Sequence, residues 1–116
     1  MKLLNIAVII PCYNSDKYIE KTLLSVLKQN YPISELLVVD DCSTDNSVNI
    51  IKSIIKNNSS RTQITLLQNK KNYGPSYTRN IGLKNISINT DYISFLDADD
   101  FWSASKISNQ VELINS

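Results

Sequence analysis

Asp97-Ala98-Asp99 sets two carboxylates at i and i+2, and in an extended segment residues two apart project to the same side. Short carboxylates so placed suit a hard cation such as Mg²⁺ or Mn²⁺, which keeps several waters and completes its octahedron with phosphate oxygens. Asp100 deepens the negative potential. The competing reading is structural: Asp99 or Asp100 caps the helix that follows. A second acidic pair, Asp40-Asp41, has no basic neighbour in the local sequence, so its charge needs a partner. The imide N–H of a uracil ring would serve for Asp41, with Tyr13 packing on the face of the same base. A helix-capping loop for Asp41 and ordinary packing for Tyr13 are the plainer alternatives. Arg79 would meet a phosphate or pair with one of these aspartates, the plainer alternative being a solvated salt bridge. Lys70-Lys71 would help with phosphate or simply mark a surface loop.

What is absent narrows the chemistry further. The 116 residues contain no histidine, which removes His-based triads, His-ligated zinc and haem, and a histidine general base. Two glycines, Gly74 and Gly82, cannot write either G-x-G-x-x-G or G-x-x-x-x-G-K-[ST]. A diphosphate would then be held mainly through a bridging metal. With 12 basic against 11 acidic residues the net charge is +1, so no global field gathers nucleic acid or anionic lipid. Cys12 and Cys42 are too few for a disulfide framework and read as free thiols of a reducing, cytoplasmic compartment. No apolar stretch approaches the roughly 18–20 residues of a membrane span, and the lead-in from Met1-Lys2 reads as the approach to a strand rather than a leader.

These residues need elements to position them. Ile6-Ala7-Val8-Ile9-Ile10 reads as a strand buried on both faces, with Pro11 as its stop. Ile19, Leu23, Val26 and Leu27 recur at helical spacing, and Leu36-Leu37-Val38-Val39 makes a second strand. Residues 43–46 offer N-caps for a helix facing inward through Val48, Ile51, Ile54 and Ile55. Ile64-Thr65-Leu66-Leu67 is a third strand. A helix from about Ser76, with Pro75 in its first turn, would set Tyr77, Ile81, Leu83 and Ile86 against the sheet, Gly82 permitting close contact. Tyr92-Ile93-Ser94-Phe95-Leu96 is a fourth strand, and a last helix capped by Ser103 would bury Ile107, Val111 and Ile114. Strict alternation predicts an α/β fold with an open, mostly parallel sheet of about four strands in the order 3-2-1-4. Each unusual loop follows the carboxyl end of a strand, the edge at which such sheets bind ligands.

Four segments in order, IAVIIPCYN from Ile6, LVVDDCSTDNS from Leu37, NKKNYGPSYTRNIG from Asn69 and YISFLDADDF from Tyr92, resemble the nucleotide-sugar half of family 2 glycosyltransferases. The resemblance implies a GT-A fold, a UDP-sugar donor, Mn²⁺ or Mg²⁺, and inversion at the anomeric carbon on transfer to a glycan, lipid-linked or protein acceptor. By position it implies that Pro11, Tyr13 and Asp41 contact the base, that Asn72 and Arg79 line the nucleotide pocket, that Asp97 lies nearer the ribose, and that Asp99 ligates the metal. Ser15 stands where many relatives carry Glu, and Tyr77 where a small residue is usual, a change expected to tighten helix packing. The acceptor-activating base of similar enzymes comes from a later segment. Residues 1–116 are therefore expected to be one donor-binding domain of a longer enzyme, possessing no base of its own. The rival readings are a non-catalytic UDP-binding module and a receiver-type phospho-acceptor domain.

Overall fold

The computed structural model describes residues 3–115, so Met1, Lys2 and the chain end at Ser116 lie outside the described residues. Four strands, β1 (Ile6–Cys12), β2 (Glu35–Asp40), β3 (Gln63–Gln68) and β4 (Tyr92–Phe95), alternate with α1 (Ile19–Leu27), α2 (Ser47–Asn57), α3 (Pro75–Asn85) and α4 (Lys106–Ile114). All strand pairs are parallel and the order is β3-β2-β1-β4, as the alternation predicts.

β1 and β2 lie innermost, and this explains their composition. Ile6 to Ile10 are fully buried because strands flank them and helices cover both faces, so no polar alternation is needed. Ile6, Val8, Ile10 and Cys12 point into the larger core layer, with Ile19, Leu23, Val26, Ile51, Ile107 and Val111 of α1, α2 and α4. Ile9, Leu37 and Val39 point the other way, into a small cluster with Ile81 of α3 and Ile86 just after it. α3 lies close against the sheet at Gly82, where a Cβ would fall 2.6 Å from Ile9 Cγ2. The sequence expectation of close contact there holds.

Several expectations need correction. Pro11 does not stop β1; the strand continues to Cys12, with Pro11 opposite Val39. The Leu96 N–H donates to the Ile9 carbonyl, so the next β1 position facing that side is Pro11, and β4 has by then ended at Phe95. No ladder partner waits for the missing N–H, which is how proline is tolerated in an inner strand. Tyr77 is exposed rather than packed on the sheet, and it stacks on Tyr73 with ring centroids 4.2 Å apart. Thr78 and Gly82 take the inward positions of α3, and Leu83 is exposed. Val48 is only half-buried. α4 is preceded by Ser105, not Ser103, with no side-chain cap, and Ile114 faces outward. Among the described residues no helix is long and apolar enough to cross a membrane.

Candidate nucleotide and metal site

The β2–α2 and β3–α3 loops meet at Asp41, which is 4% exposed. Its Oδ1 accepts from the Tyr73 N–H (2.8 Å) and from Asn69 Nδ2 (2.9 Å), and its Oδ2 from the Gly74 N–H (2.9 Å). Burial pushes this carboxyl up, but the donors at Tyr73, Asn69 and Gly74 outweigh it and hold the group below the usual carboxylate range. Gly74 precedes α3, so the charge also sits at that helix's positive end. The partner demanded by the Asp41 charge is therefore found within the chain, mostly as backbone N–H groups, and one lone pair on Oδ2 remains.

The β1–α1 and β2–α2 loops are knitted by small polar side chains. Asn14 Oδ1 accepts from the N–H of Thr44 (2.8 Å) and Asp45 (3.3 Å), and Asp45 Oδ2 accepts from the Asp16 N–H (3.1 Å). The carboxylate of Asp40 accepts from the N–H and hydroxyl of Ser43. Asn14 (φ 46°) and Cys42 (φ 63°) both adopt left-handed backbone in these turns. Burial, then the adjacent Asp40 carboxylate, push the Cys12 thiol up to about 12, so it is an inert core group rather than a nucleophile. Both cysteines are free thiols.

The β4–α4 loop is pinned by α1 and by Gln29 just beyond its end. The Thr22 hydroxyl lies 2.7 Å from the Ala98 carbonyl and also contacts the Asp100 carbonyl. Ser25 Oγ accepts from the Trp102 N–H (3.1 Å), and Gln29 reaches the Ser103 carbonyl (2.6 Å) and the Ile107 N–H (3.0 Å). Asp97 and Asp99 are exposed on either side of the buried Ala98, but the segment is not the extended stretch expected from the sequence: the Asp100 N–H donates to the Asp97 carbonyl (3.0 Å) and closes it into a turn. The capping alternative is excluded, because α4 starts at Lys106 with no side-chain cap and the Asp100 carboxylate accepts from the N–H of Phe101 next to it.

Pro11, Tyr13, Asp41, Asn72, Arg79, Asp97 and Asp99 all line one cleft of about 300 Å³ at the carboxyl edge of the sheet. Arg79 Nη2 lies 3.4 Å from Asp97 Oδ1, an exposed pair of small energetic weight that leaves the remaining carboxylate oxygens open. Asp97 and Asp99 fit a hard divalent cation: short, exposed carboxylates on one wall, neither consumed by a backbone donor. Among the described residues no cluster of three or more ligating side chains exists, so water and substrate oxygens would complete the shell. Lys70 and Lys71 do not line the cleft; Lys71 Nζ lies 5.3 Å from the Tyr73 ring centre.

Sequence reading missed Thr22, Asn69 and Thr78. Each is an ordinary polar residue on a helix or loop. The one available signal was Thr22 on the buried stripe of α1, one turn from Ile19 and Val26, where a hydroxyl needs a partner.

An open parallel sheet in the order 3-2-1-4, with a cleft at its carboxyl edge, defines a Rossmann-like α/β domain of the GT-A kind. The description "Glycosyl transferase family 2" matches residues 7–116, and the chain belongs to that family. It is 38% identical over 109 residues to UDP-Glc:alpha-D-GlcNAc-diphosphoundecaprenol beta-1,3-glucosyltransferase WfgD of Escherichia coli, covering 94% of this chain and 40% of the relative. The structure of residues 1–349 of TarS from S. aureus in complex with UDP-GlcNAc superposes with TM-score 0.83 at 32% identity, covering 97% of this chain and 31% of that one. Mannosyltransferase PcManGT from Pyrobaculum calidifontis, in complex with GDP-Man and Mn²⁺, shares the fold at TM-score 0.89 and 23% identity, covering 100% of this chain and 34% of that one. The chain thus spans well under half the length of the relatives it matches. Family membership sets aside the receiver-type reading.

Proposed function

We propose that this chain binds a UDP-sugar together with Mn²⁺ or Mg²⁺ and supplies the donor side of an inverting glycosyl transfer to a glycan, lipid-linked or protein acceptor. The observation that carries this reading is convergence: residues nominated separately from four loops line a single cleft. Tyr13, half-exposed at the rim, offers a ring face to the base, with Pro11 beside it. The lone pair left on Asp41 Oδ2 accepts the uracil imide N–H. Asn72 and Arg79 line the phosphate path, Arg79 leaving Asp97 for a phosphate oxygen. Asp97 lies on the ribose side and Asp99 holds the cation. A cation held by Asp99 would supply positive charge against the departing diphosphate.

The acceptor-activating base and the acceptor surface belong, in this proposal, to the part of such enzymes that residues 1–116 do not span. Two free thiols favour a reducing, cytoplasmic setting.

Calorimetric titration of UDP with and without Mn²⁺, on the parent chain and on Asp99→Ala, tests the assignment. Binding is expected to be at least about tenfold tighter with Mn²⁺ than without, and the substitution is expected to remove that gain. Equal affinity in all four titrations sinks it.

A further inference from the structure

Asn69 lies outside the cleft, yet it is tied to three groups that build it. Its N–H donates to the Asp40 carbonyl (2.8 Å), while Nδ2 serves both Asp41 Oδ1 (2.9 Å) and Thr78 Oγ1 (3.2 Å). The Thr78 hydroxyl in turn donates to the Gly74 carbonyl (2.8 Å), and Asp41 gathers the Tyr73 and Gly74 N–H groups. One amide therefore joins the end of β2, the β3–α3 loop and the first turn of α3. Asp41, Gly74 and Thr78, all cleft-lining, belong to this knot, and the cleft-lining Asn72 and Arg79 are their neighbours in sequence.

We propose that Asn69 is a positioning residue for the nucleotide cleft, fixing the loop at residues 69–74 and the Asp41 carboxylate in their receptive arrangement before ligand arrives. The physical reason is preorganisation. A loop without this clamp would order itself at the expense of binding free energy, whereas here its hydrogen bonds are already made. The bond to a charged, buried acceptor is also stronger than a neutral one. Asparagine is suited because one NH₂ group supplies two donors, which serine or aspartate at this position cannot match. The role named here rests on the UDP reading above, but the state of the loop can be measured without nucleotide.

Asn69→Ala and Asn69→Asp test the idea, the second placing a like charge against Asp41. In the absence of nucleotide, amide hydrogen exchange at Tyr73 and Gly74 is followed by NMR; with UDP and Mn²⁺, the dissociation constant is read by calorimetry well below the melting temperature. The expectation for Asn69→Ala is faster exchange at both amides and UDP binding weakened about tenfold, with Asn69→Asp weaker still. A merely structural role would lower the melting temperature and leave the binding constant of the folded protein unchanged, which would overturn the proposal. Weakened binding with both amides still protected would overturn it too. Failure of the parent chain to bind UDP would instead defeat the donor reading, whatever the amides do.

Discussion

Two residues show how local strain and local charge are traded in these loops. Cys42 holds a left-handed backbone (φ 63°) that costs an L-residue about 1–2 kcal/mol, and its thiol makes only a long contact of 3.7 Å to the Lys70 carbonyl. Asn14, at φ 46°, belongs to the residue types that tolerate this region, and its side-chain oxygen accepts from the Thr44 and Asp45 N–H groups. Glycine at 42 removes the strain but loosens the unfolded chain by about 0.4–1 kcal/mol. Strain is the larger quantity, so Cys42→Gly is expected to stabilise by about 0.5–1 kcal/mol, read as a higher urea midpoint with unchanged slope. A lower midpoint would show that the thiol matters more than the backbone. Asp41 supplies the charge case. Its folded-state pKa lies below the unfolded one, so its contribution is complete above about pH 3.9 and is lost as the pH falls through the folded value. Asp41→Asn should therefore be less stable than the parent at neutral pH, with the gap closing as the solution is acidified. Urea titrations across that range check it, and a gap independent of pH counts against the account.

Among the elements, α1 does two jobs with two stripes. Ile19, Leu23 and Val26 seat it on the sheet, while Thr22 and Ser25, with Gln29 just past the helix end, hold the segment that carries Asp97 and Asp99. The Thr22 hydroxyl is 1% exposed and is the group that faces both the Ala98 and Asp100 carbonyls. Valine has nearly the same shape and no donor, so Thr22→Val would take the single hydroxyl proton away from the buried Ala98 carbonyl with little change in packing. A loss of about 1–3 kcal/mol is expected by denaturant titration. The Mn²⁺-dependent gain in UDP affinity should also shrink, because the loop between the two carboxylates is no longer held. An undiminished gain in a properly folded Thr22→Val would mean that the loop is fixed by Ser25 and Gln29 alone.

For the molecule as a whole, what could be read from the sequence follows from what each feature depends on. β1 and β2 were legible because burial on both faces leaves an unbroken β-branched run, and the cleft was legible because each chemical loop follows a strand end. The extension of β1 through Pro11 was not, since it depends on where β4 stops two strands' width from β2. Nor were the partners of Asp41, since backbone N–H groups carry no sequence signature. The outward face of Tyr77 is not legible either, because an aromatic residue at helical spacing reads as core, whereas α3 turns Thr78 and Gly82 inward. That last point has an energetic consequence. Among the described residues, the buried cluster under α3 is Ile9, Leu37 and Val39, against the much larger layer shared by α1, α2 and α4. Apolar burial scales with area, so α3 is the more weakly held side of the sheet. Its amides are expected to exchange through a sub-global opening that leaves β1 and β2 protected. Because its first turn lines the cleft, ligand that binds only the closed form should slow that exchange. At UDP and Mn²⁺ concentrations about a hundredfold over the dissociation constant, protection in α3 should rise by up to about a hundredfold, and β1, whose global opening also releases the ligand, should rise by the same factor from its higher starting level. Exchange of α3 and β1 at one common free energy without nucleotide would show a single cooperative unit, and the uneven division of the core would then carry no dynamic meaning.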